Sequence, residues 1–168
     1  MPPAIKRSLL LVSLLGCLGI IAFFSQEDGK RSRARSGMVT QKVLNCLDKH
    51  FPPPPEPVAR AWRRHTVEHN LRALAHGAEF AAAAALVCAL LLSLNFPPSR
   101  ARAWALGIAL LFAVIDETHQ LFIPRRSFQI KDIAMDCFGA YWGIVVVIAF
   151  YNILHKNELS EQSSRPAE

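Results

Sequence analysis

Cysteine is scarce in this chain. There are four, of which Cys17, Cys88 and Cys137 lie in long apolar runs and only Cys46 lies in a polar stretch. That argues against a disulfide framework, and no Cys-x-x-Cys spacing points to a thiolate metal site. A nucleophile elbow is missing too, since neither Ser127 nor Thr118 stands in one. Basic residues outnumber acidic ones, 19 against 13, yet no nucleic-acid-binding motif accompanies the net charge of +6. On so apolar a chain the surplus suits anionic lipid headgroups better than nucleic acid. Amphipathic periodicity is also lacking. The 52% of hydrophobic residues are clumped into blocks, whereas a water-soluble core requires them to recur along one face of each element. Such blocks belong in lipid.

At 168 residues the chain has room for one domain, and the blocks predict an all-α, polytopic helical membrane bundle with spans at about 8–24, 74–94, 103–120 and 133–154. Residues 1–155 are expected to form the membrane domain and 156–168 a polar, disordered tail. The first block follows Lys6 and Arg7 as a signal peptide would, but Phe23 and Phe24 fit a cleavage site badly, so it is read as a retained span. The third apolar block, 103–115, makes only about 20 Å of helix against a layer of about 30 Å. Backward extension meets Arg102, Arg100 and Pro97-Pro98. The helix is therefore expected to continue forward through Asp116, Glu117, Thr118, His119 and Gln120, which draws charged groups to membrane depth.

Between the first two spans lies a long polar loop. The run Pro52-Pro53-Pro54-Pro55-Glu56-Pro57 predicts a stiff polyproline spacer. A short interfacial helix is expected over 36–47, and Trp62 with Arg63 and Arg64 reads as an interfacial anchor. Lys6 and Arg7 hold the N-terminus in the cytoplasm, whereas the surplus of Lys and Arg in the long loop over Arg100 and Arg102 opposite it favours the loop inside. Parity is independent of that conflict. The long loop must share a membrane face with the loop joining the third and fourth spans.

Parity brings three polar clusters to one level. Arg72, His76 and Glu79 open the second span on one helical face, Asp116, His119 and Gln120 close the third, and Asp132 and Asp136 open the fourth, on a stripe continuing through Gly139 and Gly143. An ionised side chain at a span centre costs about 2.5–3.5 kcal/mol on insertion scales, so these residues are expected to turn inward and pair. Arg72 and Arg126 would meet carboxylates, and the Gly139-x-x-x-Gly143 face would let a neighbouring helix approach closely. Plainer readings stand beside these. Arg72 snorkels, the glycines serve packing alone, and Asp132 caps a helix. A His held by a carboxylate suits acid–base work, with His76, Glu79, Asp116, Glu117 and His119 as candidates. Two histidines with Asp and Glu equally suit a divalent ion. The residues alone name no cofactor.

The stretch Asp116-Glu117-Thr118-His119-Gln120-Leu121-Phe122-Ile123-Pro124-Arg125-Arg126, followed by Asp132, Asp136 and Gly139, resembles the signature of the VanZ-like membrane proteins. So do Arg72, His76, Glu79 and Phe80, and Phe24-Ser25-Gln26 is similar to that family's usual ending of the first span. Two residues depart from the pattern: Ala73 stands for Lys, and Arg125 for a Gly that would take positive φ freely where Arg does so at a cost. The family is named after an accessory protein of teicoplanin resistance in bacteria. The resemblance implies a multi-pass protein of the bacterial inner (cytoplasmic) membrane whose polar site binds or acts on an amphiphilic envelope ligand, with Arg72, Gln120, Arg126, Asp132 and Asp136 as ligand-binding candidates. A membrane enzyme acting on lipid or polyprenyl phosphates, and a structural accessory subunit without catalysis, are the alternatives.

Overall fold

The computed structural model describes the backbone of residues 2–163, and the side chains of these except at 29, 33 and 157–163. Among the described residues every regular element is an α-helix: α1 (Pro3–Ser25), α2 (Gly29–Leu47), α3 (Pro57–Ser93), α4 (Pro98–Gln120) and α5 (Ile130–Ser163). All but α2 are long and apolar enough to cross a membrane. Their outward faces carry large apolar side chains such as Val12, Leu15, Leu111 and Phe150, as a lipid-facing surface requires.

Proline initiates three of these helices, at Pro3, Pro57 and Pro98. A helix has no intrahelical acceptor for its first N–H groups, so proline loses nothing there and supplies the right φ. This corrects the expectation that Pro97-Pro98 bars the third span from starting before residue 103: the pair starts α4. Forward, α4 runs through Gln120, as expected, although its start at Pro98 already lengthens the short apolar block. The turn before it is a Schellman cap. Phe96 N–H donates to Leu91 O at 3.1 Å and Asn95 N–H to Leu92 O at 3.0 Å, with Asn95 at φ 64°. At the other end, α5 continues to Ser163, because no Pro or Gly interrupts 157–163. The segment expected to be a disordered tail therefore begins as helix, and residues 164–168 lie outside the described residues.

α3 has 37 residues, about 55 Å of helix, nearly twice the hydrocarbon thickness. Its N-terminal part stands clear of the apolar bundle with α2 packed antiparallel along it. Ser36 Oγ donates to Glu68 Oε1 (2.9 Å), Arg64 to Gln41 Oε1 (3.0 Å), and Arg63 to Asp48 Oδ1 (3.0 Å) and Phe51 O (3.1 Å). The helix expected over 36–47 thus lies inside a longer one. It starts earlier because the Asp28 side chain caps it, accepting from Lys30 N–H at 2.8 Å. Trp62, 71% exposed, sits on the projecting part of α3.

Within the bundle α3 is central, with α5, α4 and α1 packed on it. The core is built largely from small side chains: Ala84, Cys88, Ala105, Ala109 and Ala140 are all buried. Apolar tails compete with any apolar contact in a membrane, so close approach of backbones has to supply the packing energy. It does so where α3 crosses α5. A Cβ at Gly139 would lie 2.8 Å from Gly77 Cα and run into the Gly77 carbonyl, and one at Gly143 would lie 3.0 Å from Ala81 Cα.

Two sets of contacts fix the ends of the bundle. Arg7 donates twice to Ser93 O, at 3.0 and 2.7 Å, tying the start of α1 to the end of α3. At the opposite end Arg126 reaches Phe24 O and Glu27 O. Exposed Ser127 and exposed Ser99 therefore lie at opposite ends. With Cys46 replaced, a membrane-impermeant maleimide applied to intact cells is expected to label a cysteine at only one of them. Labelling at both would contradict the arrangement.

The α4–α5 loop turns at Ile123-Pro124-Arg125-Arg126, where Arg126 N–H donates to Ile123 O at 3.2 Å and Arg125 has φ 62°. Proline second and positive φ third is the pattern of a type II turn, which asks for glycine at its third position. A left-handed non-glycine residue costs about 1–2 kcal/mol. The Arg125–Asp28 ion pair, 3.8 Å between half-exposed side chains, offsets little of that. After the extra backbone entropy of glycine in the unfolded chain is subtracted, Arg125→Gly is expected to stabilise the protein by about 0.5–1 kcal/mol in denaturant titration.

Candidate polar site at one end of the bundle

The site grows out of the buried face of α4. Ala101, Ala105, Ala109 and Ala113 recur every fourth residue and are all buried. One more step of four reaches Glu117, 1% exposed, and Gln120 at 2% lies on the same side. A carboxylate on a packing face needs a partner, since leaving it unmatched costs several kcal/mol. Glu117 Oε2 accepts the N–H of Gln129 at 2.8 Å. Gln129 O in turn accepts from Asp132 N–H and Ile133 N–H, so the carboxylate sits at the N-terminus of α5, where the helix dipole favours negative charge.

Gln120 is the hub. Its Nε2 donates to Asp116 Oδ2 at 2.9 Å, and its Oε1 faces Arg126 Nη1 at 3.4 Å. Arg126 also points Nε at Glu27 O (3.4 Å) and Nη2 at Phe24 O (3.5 Å). These contacts are long, so they act mainly through charge on the carbonyls at the C-terminal end of α1. Burial, and after it the nearby Arg72 guanidinium, push Arg126 below its ordinary value, while Asp116, Glu117 and Asp132 act in the opposite direction.

Arg72, His76, Glu79 and Arg126 line one cavity of about 260 Å³, which α2 roofs with Ser32 and Arg35. Arg35 is committed elsewhere, paired with Glu27 and lying 4.3 Å over the Phe24 ring. Arg72 is half-buried and, among the described residues, pairs with no carboxylate. Among the described residues His76 Nδ1 is buried without a partner. Of the ten polar candidates, four therefore share this cavity. Asp116 and His119 face a second, apolar cavity instead, and His119 is exposed. Glu117 and Asp136 lie in the core, lining neither cavity, with Asp136 1% exposed and its Oδ1 unpartnered. Asp132, half-buried in the first turn of α5, acts on His76 and Arg126 through its charge.

Among the described residues no group of three or more His, Cys, Asp or Glu side chains is arranged to hold a metal ion. The one His-x-x-x-His pair, His65 and His69, is exposed on the projecting part of α3, away from this site. Sequence reasoning named Ser25 only within Phe24-Ser25-Gln26, as the ending of the first span and not as a site residue; the fold buries it to 2% beside the cluster, its hydroxyl without a partner among the described residues.

Four membrane-length helices with polar residues gathered at one end define a multi-pass membrane protein. A family model, VanZ/LLP1, matches residues 10–152, most of the chain, and the protein belongs to that family. The match spans every residue of the site just described. No curated protein and no solved structure matches the chain significantly.

Proposed function

We propose that this protein binds an anionic amphiphile of the bacterial cell envelope at its inner membrane, with Arg72 and Arg126 receiving the anionic group. The observation that carries the reading is the 260 Å³ cavity, which is lined by a guanidinium without a carboxylate partner among the described residues, by a second guanidinium held only by long contacts, and by the His76 ring. A phosphate or carboxylate satisfies both guanidinium groups, with fork-shaped hydrogen bonds from arginine. Withdrawing such a ligand, or shielding it, is the route by which the protein would affect teicoplanin sensitivity.

The test is binding of dodecyl phosphate, against dodecanol, to the purified protein in nanodiscs. Arg72→Ala is expected to weaken dodecyl phosphate by about tenfold, the value of one charge-assisted pair, and to leave dodecanol unchanged. Equal retention of both probes by the wild type would overturn the reading.

An enzyme acting on lipid or polyprenyl phosphates is the second reading, favoured by His76 and Glu79 standing in the same cavity as the arginines. His76→Gln separates the two: an enzyme loses turnover of the phosphate ester and keeps its affinity, while a binder loses affinity alone.

A further inference from the structure

Next to the arginine cavity is a larger one, of about 480 Å³, in the apolar part of the bundle. α1 forms one side with Leu18 and Ile21, α4 the other with Ile108 and Phe112, and α3 the floor with Ala83 and Ala84. Both α1 and α4 pack on α3 and scarcely on each other, so the cavity faces the lipid through the gap between them. Its volume falls within the range of about 300–1,000 Å³ typical of small-molecule sites.

One end of it is polar. Ser25, Gln26, Asp116 and His119 close the cavity there, and Ser25 is the buried residue whose hydroxyl has no partner. Leaving such a group unsatisfied costs about 1–3 kcal/mol. The two cavities also share a wall. Phe24 and Glu79 line the arginine side, while their chain neighbours Ser25 and Phe80 line the apolar side. The Arg126–Gln120–Asp116 chain runs from one to the other.

We propose that the apolar cavity seats the hydrocarbon chain of the amphiphile, admitted sideways from the bilayer between α1 and α4, with a hydroxyl or amide at the headward end of the chain meeting Ser25 and Asp116. The inference rests on the reading of the arginine cavity only in taking the ligand to be an amphiphile. A chain moving from bilayer to cavity exchanges one apolar surrounding for another and gains little by it. Selection over bulk lipid therefore comes from the polar end. Asp116 gives one oxygen to Gln120 and, as a carboxylate, has acceptor capacity left for a donor on the ligand.

The test uses the full chain in nanodiscs and a 2-hydroxyhexadecyl phosphate carrying a diazirine in mid-chain, with adducts mapped by mass spectrometry. Adducts are expected at Leu18, Ile108 and Phe112, and excess unlabelled 2-hydroxyhexadecyl phosphate should abolish them. Ala22→Phe and Phe112→Trp fill the cavity from exposed rim positions. Each should cut these adducts by about tenfold, equivalent to about 1.4 kcal/mol. Adducts spread over outward residues such as Val12 and Phe150, insensitive to competitor, would overturn the proposal, and the wild-type protein alone is enough to reveal them. Butyl phosphate binding reads the arginine cavity separately. If Arg72→Ala abolishes it while the chain adducts persist, the chain seat stands alone. If butyl phosphate does not bind and the adducts persist, the arginine reading fails and the chain seat still stands.

Discussion

Gly139→Ala is expected to lose about 3 kcal/mol of stability, at the top of the range for overpacked cores. The added Cβ would lie 2.8 Å from Gly77 Cα and run into the Gly77 carbonyl. Backbone inside a hydrogen-bonded helix cannot step aside as the end of a side chain can, so α3 and α5 must separate. The separation reaches the polar site, because His76 adjoins Gly77 and Asp136 lies one turn before Gly139 and Ala140. Gly143→Ala, against the Ala81 backbone, should follow closely. Gly16→Ala and Gly107→Ala meet nothing within 4 Å and serve as controls. They should gain rather than lose, by up to about 1 kcal/mol of helix propensity. Unfolding in mixed micelles of rising SDS fraction measures all four, and a Gly139→Ala protein as stable as the controls would refute the close crossing.

The second large effect belongs to Arg126. Arg126→Ala removes the only described side chain that joins the end of α1 to Gln120. It also takes from the cavity one of its two guanidinium groups that pair with no carboxylate among the described residues. We expect dodecyl phosphate binding to fall by more than the roughly tenfold of a single charge-assisted pair, together with a loss of about 1–2 kcal/mol in stability. Arg126→Lys distinguishes the two contributions. An ammonium restores the charge beside the Phe24 and Glu27 carbonyls but not the planar fork that grips an anion. Stability should therefore return in large part and affinity should not. A lysine variant with full affinity would show that charge alone holds the ligand.

Much of the architecture was legible in the sequence because lipid imposes a simple rule. A block of apolar residues of sufficient length has one stable environment, and the shortfall of the third block pointed to a helix continuing through Asp116 to Gln120, as α4 does. The same composition argument failed at Pro97-Pro98, where proline was taken for a barrier although its meaning depends on position: disruptive inside a helix, harmless at its first residue. It also missed the reach of α2, whose length follows from the Asp28 cap and from packing along α3. Neither is a property of hydropathy.

Within the site, helical spacing alone put Arg72, His76 and Glu79 on one face, and the three share a cavity. Spacing from the ends of α4 treated Asp116, Glu117 and His119 as one cluster. The fold divides them, since residues one and two positions apart on a helix point in different directions, and Glu117 stands one from Asp116 and two from His119. Glu117 continues the alanine stripe into the core, while Asp116 and His119 face the apolar cavity.

By itself, then, the sequence determined the membrane setting, the number of spans and the end of the bundle where charge collects. All three follow from the cost of putting polar groups in hydrocarbon, which depends on composition and order along the chain. Only the tertiary structure decided which polar groups meet. It set Gly77 against Gly139, brought Arg126 to the end of α1, left Arg72 without a carboxylate among the described residues and His76 Nδ1 without a donor or acceptor, and buried the Ser25 hydroxyl at the mouth of an apolar cavity. Those outcomes depend on rotations and crossings of helices against one another, and local sequence carries no record of them.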